Sequence, residues 1–224
     1  MVNKVLASLA SLVLATALPI AAQAPNFSFF VTSAGSGDGA NLGGIRGADS
    51  RCQALGYAAG ATDVTWRAYL SAVATAERPA VNARDRIGSG PWYNFRGDLI
   101  ARDVTQLHSD AANLTKETIL TERGQMQNGR GDTPNTHDIL TGSNADGTVY
   151  TGEGTTACGN WTSNGEGSAR VGHHDRQGGG ENPTSWNSAH NSRGCSQENL
   201  VATGGNGYFY CFAAAGNVPT AQEE

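Results

Sequence analysis

Histidines and acidic residues that could hold a metal ion are clustered in the second half of the chain. His173, His174 and Asp175 are consecutive in the segment VGHHDR. Zinc prefers such ligands, and a fold that brings His190 or His137 alongside would give a three-ligand site. Adjacent residues of a strand point to opposite faces, however, so His173 and His174 are not expected to bind one ion together. The pattern favours a polar loop whose histidines bond to backbone carbonyls.

A long polar segment, residues 159–206, has the composition of a binding region. Gly, Asn, Ser and His dominate it, and it contains two tryptophans, Trp161 and Trp186. Loops of this length are uncommon unless they are functional. Because a pyranose face packs on an aromatic ring, the tryptophans are candidate sugar-stacking platforms. The alternative is that they anchor the core of a domain that is short of aliphatic residues.

Motifs typical of hydrolases do not occur in the sequence. It contains no GxSxG nucleophile motif and no HExxH metalloprotease motif. The cysteines are even in number, which is typical of disulfides in an exported chain rather than of a catalytic thiol. The sequence therefore predicts a protein that is not an enzyme.

Four cysteines indicate two disulfides. They are Cys52, Cys158, Cys195 and Cys211, and the absence of CxxC or CxxxC spacing argues against a cysteine-based zinc site. Three pairings are possible. The nested pairing, Cys52–Cys211 with Cys158–Cys195, is favoured because its outer bridge would tie the start of the domain to its end. In the loop-entropy account each bridge stabilises the fold by about 4 kcal/mol.

The first residues have the layout of a secretory signal peptide. Lys4 supplies a positive charge, residues 5–20 form an almost unbroken apolar run, and residues 21–24 (AAQA) are mostly small. We therefore expect cleavage near residue 24 and a mature protein that is secreted, periplasmic or on the cell surface. The apolar run is slightly short of the about 20 residues that a spanning helix needs, so no membrane span is expected after cleavage.

Charge and composition exclude some classes of partner. The formal net charge is −5, so the chain would not neutralise nucleic-acid phosphates in bulk. Glycine accounts for 30 of 224 residues and the hydrophobic fraction is only 38%. Such a chain buries a modest core and carries much loop, and exported domains of this kind usually need disulfides.

Local patterns predict a few regular elements. The aromatic run FSFFVT at 27–32, the alternating segment TWRAYLS at 65–71 and the segment GYFYCFA at 207–213 predict strands. Apolar residues at helical spacing predict a helix over 45–55. Residues 137–142, HDILTG, predict a short strand or turn.

Five segments occur in an order that is typical of a known domain. They are NLGGIRGADSRCQALG, TWRAYLS, DILTGSNADGT, CGNW and GYFYCFA. In this order they resemble endostatin, the collagen-derived domain with a C-type-lectin-like fold. The opening FVTS…NLGGI also resembles a group of secreted bacterial lectin-like domains of unknown function. The similarity spans residues 27–213, with large differences in the middle.

The resemblance implies an α+β fold in which short helices pack on antiparallel strands, with long Gly- and Asn-rich loops on one side. It also implies the nested disulfide pairing. We accordingly expect a signal peptide at residues 1–24, one lectin-like domain at 25–214 and a flexible tail at 215–224.

Many C-type lectins bind sugar through calcium, and the resemblance draws attention to two near-matches to their motifs. The triplet WNS has Ser188 where those lectins have a carboxylate, and in the triplet ENP the proline follows the asparagine instead of preceding it. Calcium takes six to eight oxygen ligands. The residues that would supply some of them are Glu181, Asn182, Asn187 and Glu198. The N-terminal, histidine-rich zinc site of endostatin does not carry over, because no histidine precedes His108.

The function expected from the sequence is that of a secreted lectin-like binding module. Its ligand would be a glycan or another extracellular matrix or envelope component, bound by the loops of residues 159–200. The predicted ligand-binding residues are Trp161, Asn182, Trp186, Asn187 and Glu198. The predicted metal ligands, for calcium or zinc, are Glu181, His173, His174 and Asp175. The alternatives are a zinc-dependent hydrolase, which would use His173, His174 and Asp175, and a structural or adhesive surface protein.

Overall fold

A long C-terminal strand organises the sheet in the computed structural model, which describes residues 22–152 and 154–216. This strand, β8 (Gly205–Gly216), lies between two antiparallel partners, β1 (Phe29–Val31) on one side and β2 (Val64–Ala68) on the other. On the side opposite β1, its residues 205–209 pair parallel with β5 (Asp138–Leu140). The aromatic segment that predicted the last strand therefore lies at the centre of the sheet.

Two short strands extend this sheet beyond β5. They are β6 (Arg170–His173) and β7 (His190–Asn191), and the strand order becomes β1-β8-β5-β6-β7, with β2 also on β8. A separate two-stranded sheet consists of β3 (Trp92–Tyr93) and β4 (Leu99–Ala101). β7 contains only two residues and forms one edge of the large sheet.

One long helix packs against the sheet, and the other helices are single turns. Helix α1 (Gly44–Ala58) buries Ala48, Cys52 and Gly56. Gly56 is required there because a Cβ at this position would collide with the indole of Trp66. The shorter elements are a 3₁₀ turn (Ala83–Asp85), α2 (Val104–Leu107), the left-handed turn α3 (Ala157–Trp161) and α4 (Gln197–Ala202).

The core lies on both faces of β8, because successive side chains of a strand point to opposite sides. Phe209 and Cys211 belong to a cluster beneath α1 that also contains Trp66 and Trp161. Tyr210, on the other face, belongs to a second cluster. Its larger members are Phe29, Tyr69, Trp92, Trp186 and Phe212. Aromatic residues thus supply much of the buried volume that aliphatic residues provide in other domains.

The disulfides pair as expected, Cys52 with Cys211 and Cys158 with Cys195. The first fixes α1 to β8, and the second closes the segment that contains β6 and β7. The predicted mixed α+β class is confirmed, as are the strands within 27–32, 65–71 and 207–213 and the helix at 45–55.

Some expectations concern residues that lie outside the described part of the chain. These are most of the signal peptide, residues 1–21, and most of the tail, residues 217–224. Within the described residues, no helix has both the length and the apolar character that a membrane span requires.

Candidate metal centre

Three adjacent short strands bring histidines and an aspartate to one place. In the register of β5 and β6, Asp138 lies opposite His173. In the register of β6 and β7, Val171 lies opposite His190. Because residues two apart on a strand share a face, His190 lies diagonally across from His173 on the same face. His137 immediately precedes β5, so all three strands contribute to the cluster.

The side chains converge on one carboxylate oxygen. Asp138 Oδ1 lies 3.3 Å from His137 Nε2, 3.3 Å from His173 Nε2 and 3.5 Å from His190 Nε2. The side chains of Asp138 and His173 are only 2% and 1% exposed, whereas that of His190 is 24% exposed. The cluster is therefore buried, with His190 on its solvent side.

The second ring nitrogen of each histidine has an acceptor as its partner. His137 Nδ1 lies 3.2 Å from Asp175 Oδ1, and His173 Nδ1 lies 2.8 Å from the carbonyl oxygen of Pro183. His190 Nδ1 lies 3.0 Å from the carbonyl oxygen of Asn191. An ionised carboxylate or a carbonyl can only accept a hydrogen bond, so each Nδ1 carries the proton. In a neutral ring, each Nε2 is therefore unprotonated and directs its lone pair into the cluster.

When all three rings are neutral, four hydrogen-bond acceptors face one another, and only a second proton on an imidazole or a cation can satisfy them. Both oxygens of Asp138 and the Nε2 of His173 are buried and have no partner in hydrogen-bond geometry. Burying polar atoms without a partner is costly. A cation at the centre would satisfy all four atoms at once, and histidines that donate through the other ring nitrogen are the usual arrangement around a metal.

The distances from Asp138 Oδ1 match the edges of a zinc tetrahedron. Zinc binds nitrogen and oxygen at about 2.0–2.1 Å, which makes the edges of a regular tetrahedron about 3.3–3.4 Å. The three distances from Asp138 Oδ1 to the Nε2 atoms are 3.3, 3.3 and 3.5 Å. The ligand atoms of His137, Asp138 and His173 all lie within 4.8 Å of one another, and His190 is not a member of this compact group.

Binding an ion requires one imidazole to rotate out of the stack of His137 and His173. Their rings are nearly parallel, with an interplanar angle of 7° and centroids 4.2 Å apart. A ligand nitrogen directs its lone pair in the plane of its ring, and two parallel planes contain the same ion only if they coincide. The last torsion of histidine is broad, so its intrinsic preference does not oppose this rotation.

The electrostatics of the cluster favour an ionised carboxylate. Burial opposes the charged form of Asp138, but the imidazoles of His173, His190 and His137 outweigh it and hold the pKa of Asp138 below its usual value. The same contact raises the pKa of His190. Burial likewise opposes ionisation of Asp175, yet its bonds with His137 and two backbone N–H groups lower its pKa. Both carboxylates are thus anionic at neutral pH.

A glycine-rich loop covers the imidazoles. A Cβ on Gly178 would lie 2.6 Å from His173 Cε1 and 3.1 Å from His137 Cε1, and φ at this residue is +143°. A Cβ on Gly180 would lie 3.0 Å from His190 Cβ. The segment QGGG therefore needs glycine where it contacts the rings, which is a packing reason for a composition that otherwise indicates only a loop.

The predicted metal ligands occupy different positions relative to this centre. His173 is part of it, and Asp175 orients His137 from behind. His174 points elsewhere, since its Nε2 lies 2.9 Å from the carbonyl oxygen of Asn128. This corrects its assignment as a ligand, and the reason is the opposite orientation of adjacent strand residues. Glu181 is not in the cluster either, because its carboxylate pairs with Arg170 at 2.9 Å.

The predicted ligand-binding residues do not form one surface. Trp161 is fully buried and donates its Nε1 hydrogen bond to the carbonyl oxygen of Ser71, so it anchors the core and does not stack on a ligand. Asn182, Trp186 and Asn187 line a shared groove of about 460 Å³. Trp186 is 4% and Asn187 1% exposed, so both contribute little surface to that groove.

The contacts of Asn187 and the positions of Glu181 and Glu198 argue against a binding role for Asn187 and against a calcium site. The side-chain amide of Asn187 donates to Tyr69 and to the carbonyl oxygens of Asn144 and Ala145. Glu198 lies in the first turn of α4. Among the described residues, Glu181 and Glu198 do not belong to a group that could hold a metal ion. The oxygen-rich calcium site considered from the sequence is therefore not assembled.

Asp138 is in the cluster but is not among the metal ligands predicted from the sequence. The signal was present in the dipeptide His137-Asp138 at the start of a predicted strand. What could not be read from the sequence is the register that sets Asp138 opposite His173 and the diagonal position of His190. Comparison with protein-family models gives no match for this chain, and no curated protein matches it.

Proposed function

We propose that the protein is an exported, disulfide-bonded domain that binds one zinc ion between His137, Asp138, His173 and His190. The observation that supports this most directly is the convergence of four acceptor atoms without a donor. Imidazole nitrogen and carboxylate oxygen suit zinc. Calcium is disfavoured because it takes six to eight oxygen ligands.

The four-ligand arrangement indicates a structural role for the ion. Structural zinc sites are closed by four protein ligands, whereas catalytic sites keep one position for water or substrate. The ion would cross-link β5, β6 and β7, which are two to four residues long. We therefore favour a metal-stabilised binding module over the zinc-dependent hydrolase. Secretion and a C-type-lectin-like fold remain part of the proposal, on the signal-peptide layout, the disulfides and the resemblance to endostatin.

The experiment is metal analysis of the folded protein with matched variants. We expect about one zinc per chain after dialysis against trace zinc, and a large loss of thermal stability on adding a chelator. His173→Ala should abolish both effects. His174→Ala is the matched control, because its ring is buried nearby but faces Asn128. Less than one tightly held transition metal per wild-type chain would contradict the proposal.

A second candidate function is glycan binding in the groove beside Asn182 and Trp186. The favourable observation is that this polar groove also contains Arg176 and Asp110 near the edge of an indole. A glycan array with the correctly folded protein, with and without chelator, tests it. Absence of binding to every glycan would exclude the lectin function, and capture of a protein partner instead would favour the structural or adhesive alternative.

A further inference from the structure

We propose that His190 is an exchangeable ligand, so that an anionic donor from solvent or from a partner can replace it while His137, Asp138 and His173 retain the ion. This inference rests on the proposed zinc site and adds an exogenous ligand to it. The centre then alternates between a closed state with four protein ligands and an open state with three.

The four ligands differ in burial. The side chains of His137, Asp138 and His173 are 6%, 2% and 1% exposed, whereas that of His190 is 24% exposed. The three buried residues lie in or next to the inner strands β5 and β6, while His190 lies in the edge strand β7. A side chain at a sheet edge can rotate towards solvent without disturbing a neighbouring strand. His190 is consequently the ligand that can leave at least cost.

The ligands also differ in how they are held from behind. Asp175 contacts His137 and, in addition, accepts hydrogen bonds from the backbone N–H groups of Arg130 and Gln177. His190 has only the carbonyl oxygen of Asn191, its neighbour in the chain, as partner for Nδ1. A partner adjacent in sequence moves together with the residue and restrains its ring little. Such contacts behind a ligand set its orientation and tune its metal affinity.

The covering loop offers a path to the ion. A Cβ on Gly179 would meet no atom within 4 Å, and Gly179 and Gly180 are exposed. Consecutive glycines are conformationally permissive, so the loop can move away from His190.

The charge of the centre selects the class of incoming ligand. A divalent ion with one carboxylate, from Asp138, keeps a net charge of about +1 when its other ligands are neutral imidazoles. Replacing neutral His190 by an anion would neutralise this charge in a buried site, where charge is costly. The favoured ligand is therefore a small anionic donor such as a carboxylate or thiolate.

Cobalt(II) spectroscopy on the full mature chain tests the exchange. Azide, a small anionic donor, should shift the visible absorption bands of the cobalt-loaded wild-type protein in a saturable manner. His190→Ala should retain one cobalt per chain with affinity reduced by at least about tenfold, and free imidazole should restore it. His173→Ala should lose cobalt without rescue, and His174→Ala should behave as the wild type.

Two results would overturn the inference and leave the zinc site intact. One is a folded His190→Ala variant, checked by circular dichroism, that loses cobalt as completely as His173→Ala and is not rescued by imidazole. The other is cobalt-loaded wild type that binds no azide at any concentration at which the protein stays folded. This second result decides the question if His190→Ala does not fold. A wild-type protein that binds neither cobalt nor zinc would instead refute the proposed function.

Discussion

Replacement of Asp138 by asparagine should separate the stability of the metal-free protein from that of the zinc-loaded protein. The side chain of Asp138 is 2% exposed, and neither of its oxygens has a hydrogen-bond partner. An asparagine has nearly the same shape, carries no charge and brings an N–H group that can donate to the lone pair of His173 or His137. We therefore expect Asp138→Asn to maintain or increase the stability of the metal-free protein at a pH at which the three imidazoles are uncharged, because no ring then donates to the carboxylate.

The substitution should stabilise the metal-free protein and weaken the stabilisation by zinc, and both changes are large enough to measure. Relieving an unsatisfied buried polar group is worth about 1–3 kcal/mol, which is the expected gain without metal. Zinc at about a thousand times its Kd stabilises the wild type by about 4 kcal/mol. At about 2–4 °C per kcal/mol for a domain of this size, that is a rise in Tm of about 8–16 °C. A hundredfold loss of affinity in the variant would remove about 3 kcal/mol of it.

Differential scanning calorimetry of the wild type and of Asp138→Asn, each with chelator and with excess zinc, gives the four Tm values. Asp110→Asn is the matched control, because this carboxylate is fully exposed and its contact with Arg176 is 3.6 Å long, so it should change neither state. An undiminished zinc-induced rise in Tm for Asp138→Asn would show that Asp138 is not a ligand. Strong destabilisation of the metal-free variant would show that the buried carboxylate has a stabilising hydrogen-bond or charge partner in the wild type.

Three further substitutions test the surroundings of the centre. Asp175→Asn should weaken zinc binding about 10–100-fold in a chelator-competition assay, because it replaces the carboxylate that orients His137 by a neutral, weaker acceptor. Unchanged affinity would mean that the contact is incidental. Gly178→Ala should lower both zinc affinity and Tm, because its methyl group would displace an imidazole. Gly179→Ala, which has open space around it, should change neither. Equal effects of the two substitutions would contradict the packing argument. His174→Ala should lose stability through the unpaired carbonyl of Asn128 but keep its zinc stoichiometry, measured by elemental analysis, and loss of the metal would return His174 to the ligand set.

The elements that the sequence predicts well are those with a pattern long enough to read. Helix α1 carries apolar residues at helical spacing over 45–55, and β8 carries a compact aromatic run, YFYCF at 208–212. The disulfide pairing was predictable for a related reason, since Cys52 lies on the inner face of that helix and Cys211 within that strand.

The candidate site depends on elements too short to carry a pattern. β7 has two residues and β5 three, which is below the length at which alternation can be recognised. The convergence of His173 and His190 is a consequence of strand register, which the spacing of residues along the chain does not reveal. Trp161 shows the converse case, because its polar neighbours suggested a binding loop although the ring belongs to the core.

The inner disulfide and the proposed ion stabilise the same part of the molecule in complementary ways. Cys158–Cys195 spans a sequence separation of 37 residues and encloses both His173 and His190. By closing this segment it removes chain entropy that zinc would otherwise have to overcome when it gathers its ligands. His137 and Asp138 lie outside the closed segment, so the ion would add bonds between its side chains and the start of β5. The covalent bridge thus encloses two of the four proposed ligands, and the proposed ion would add a link from them to the start of β5 in a glycine-rich region with few aliphatic residues.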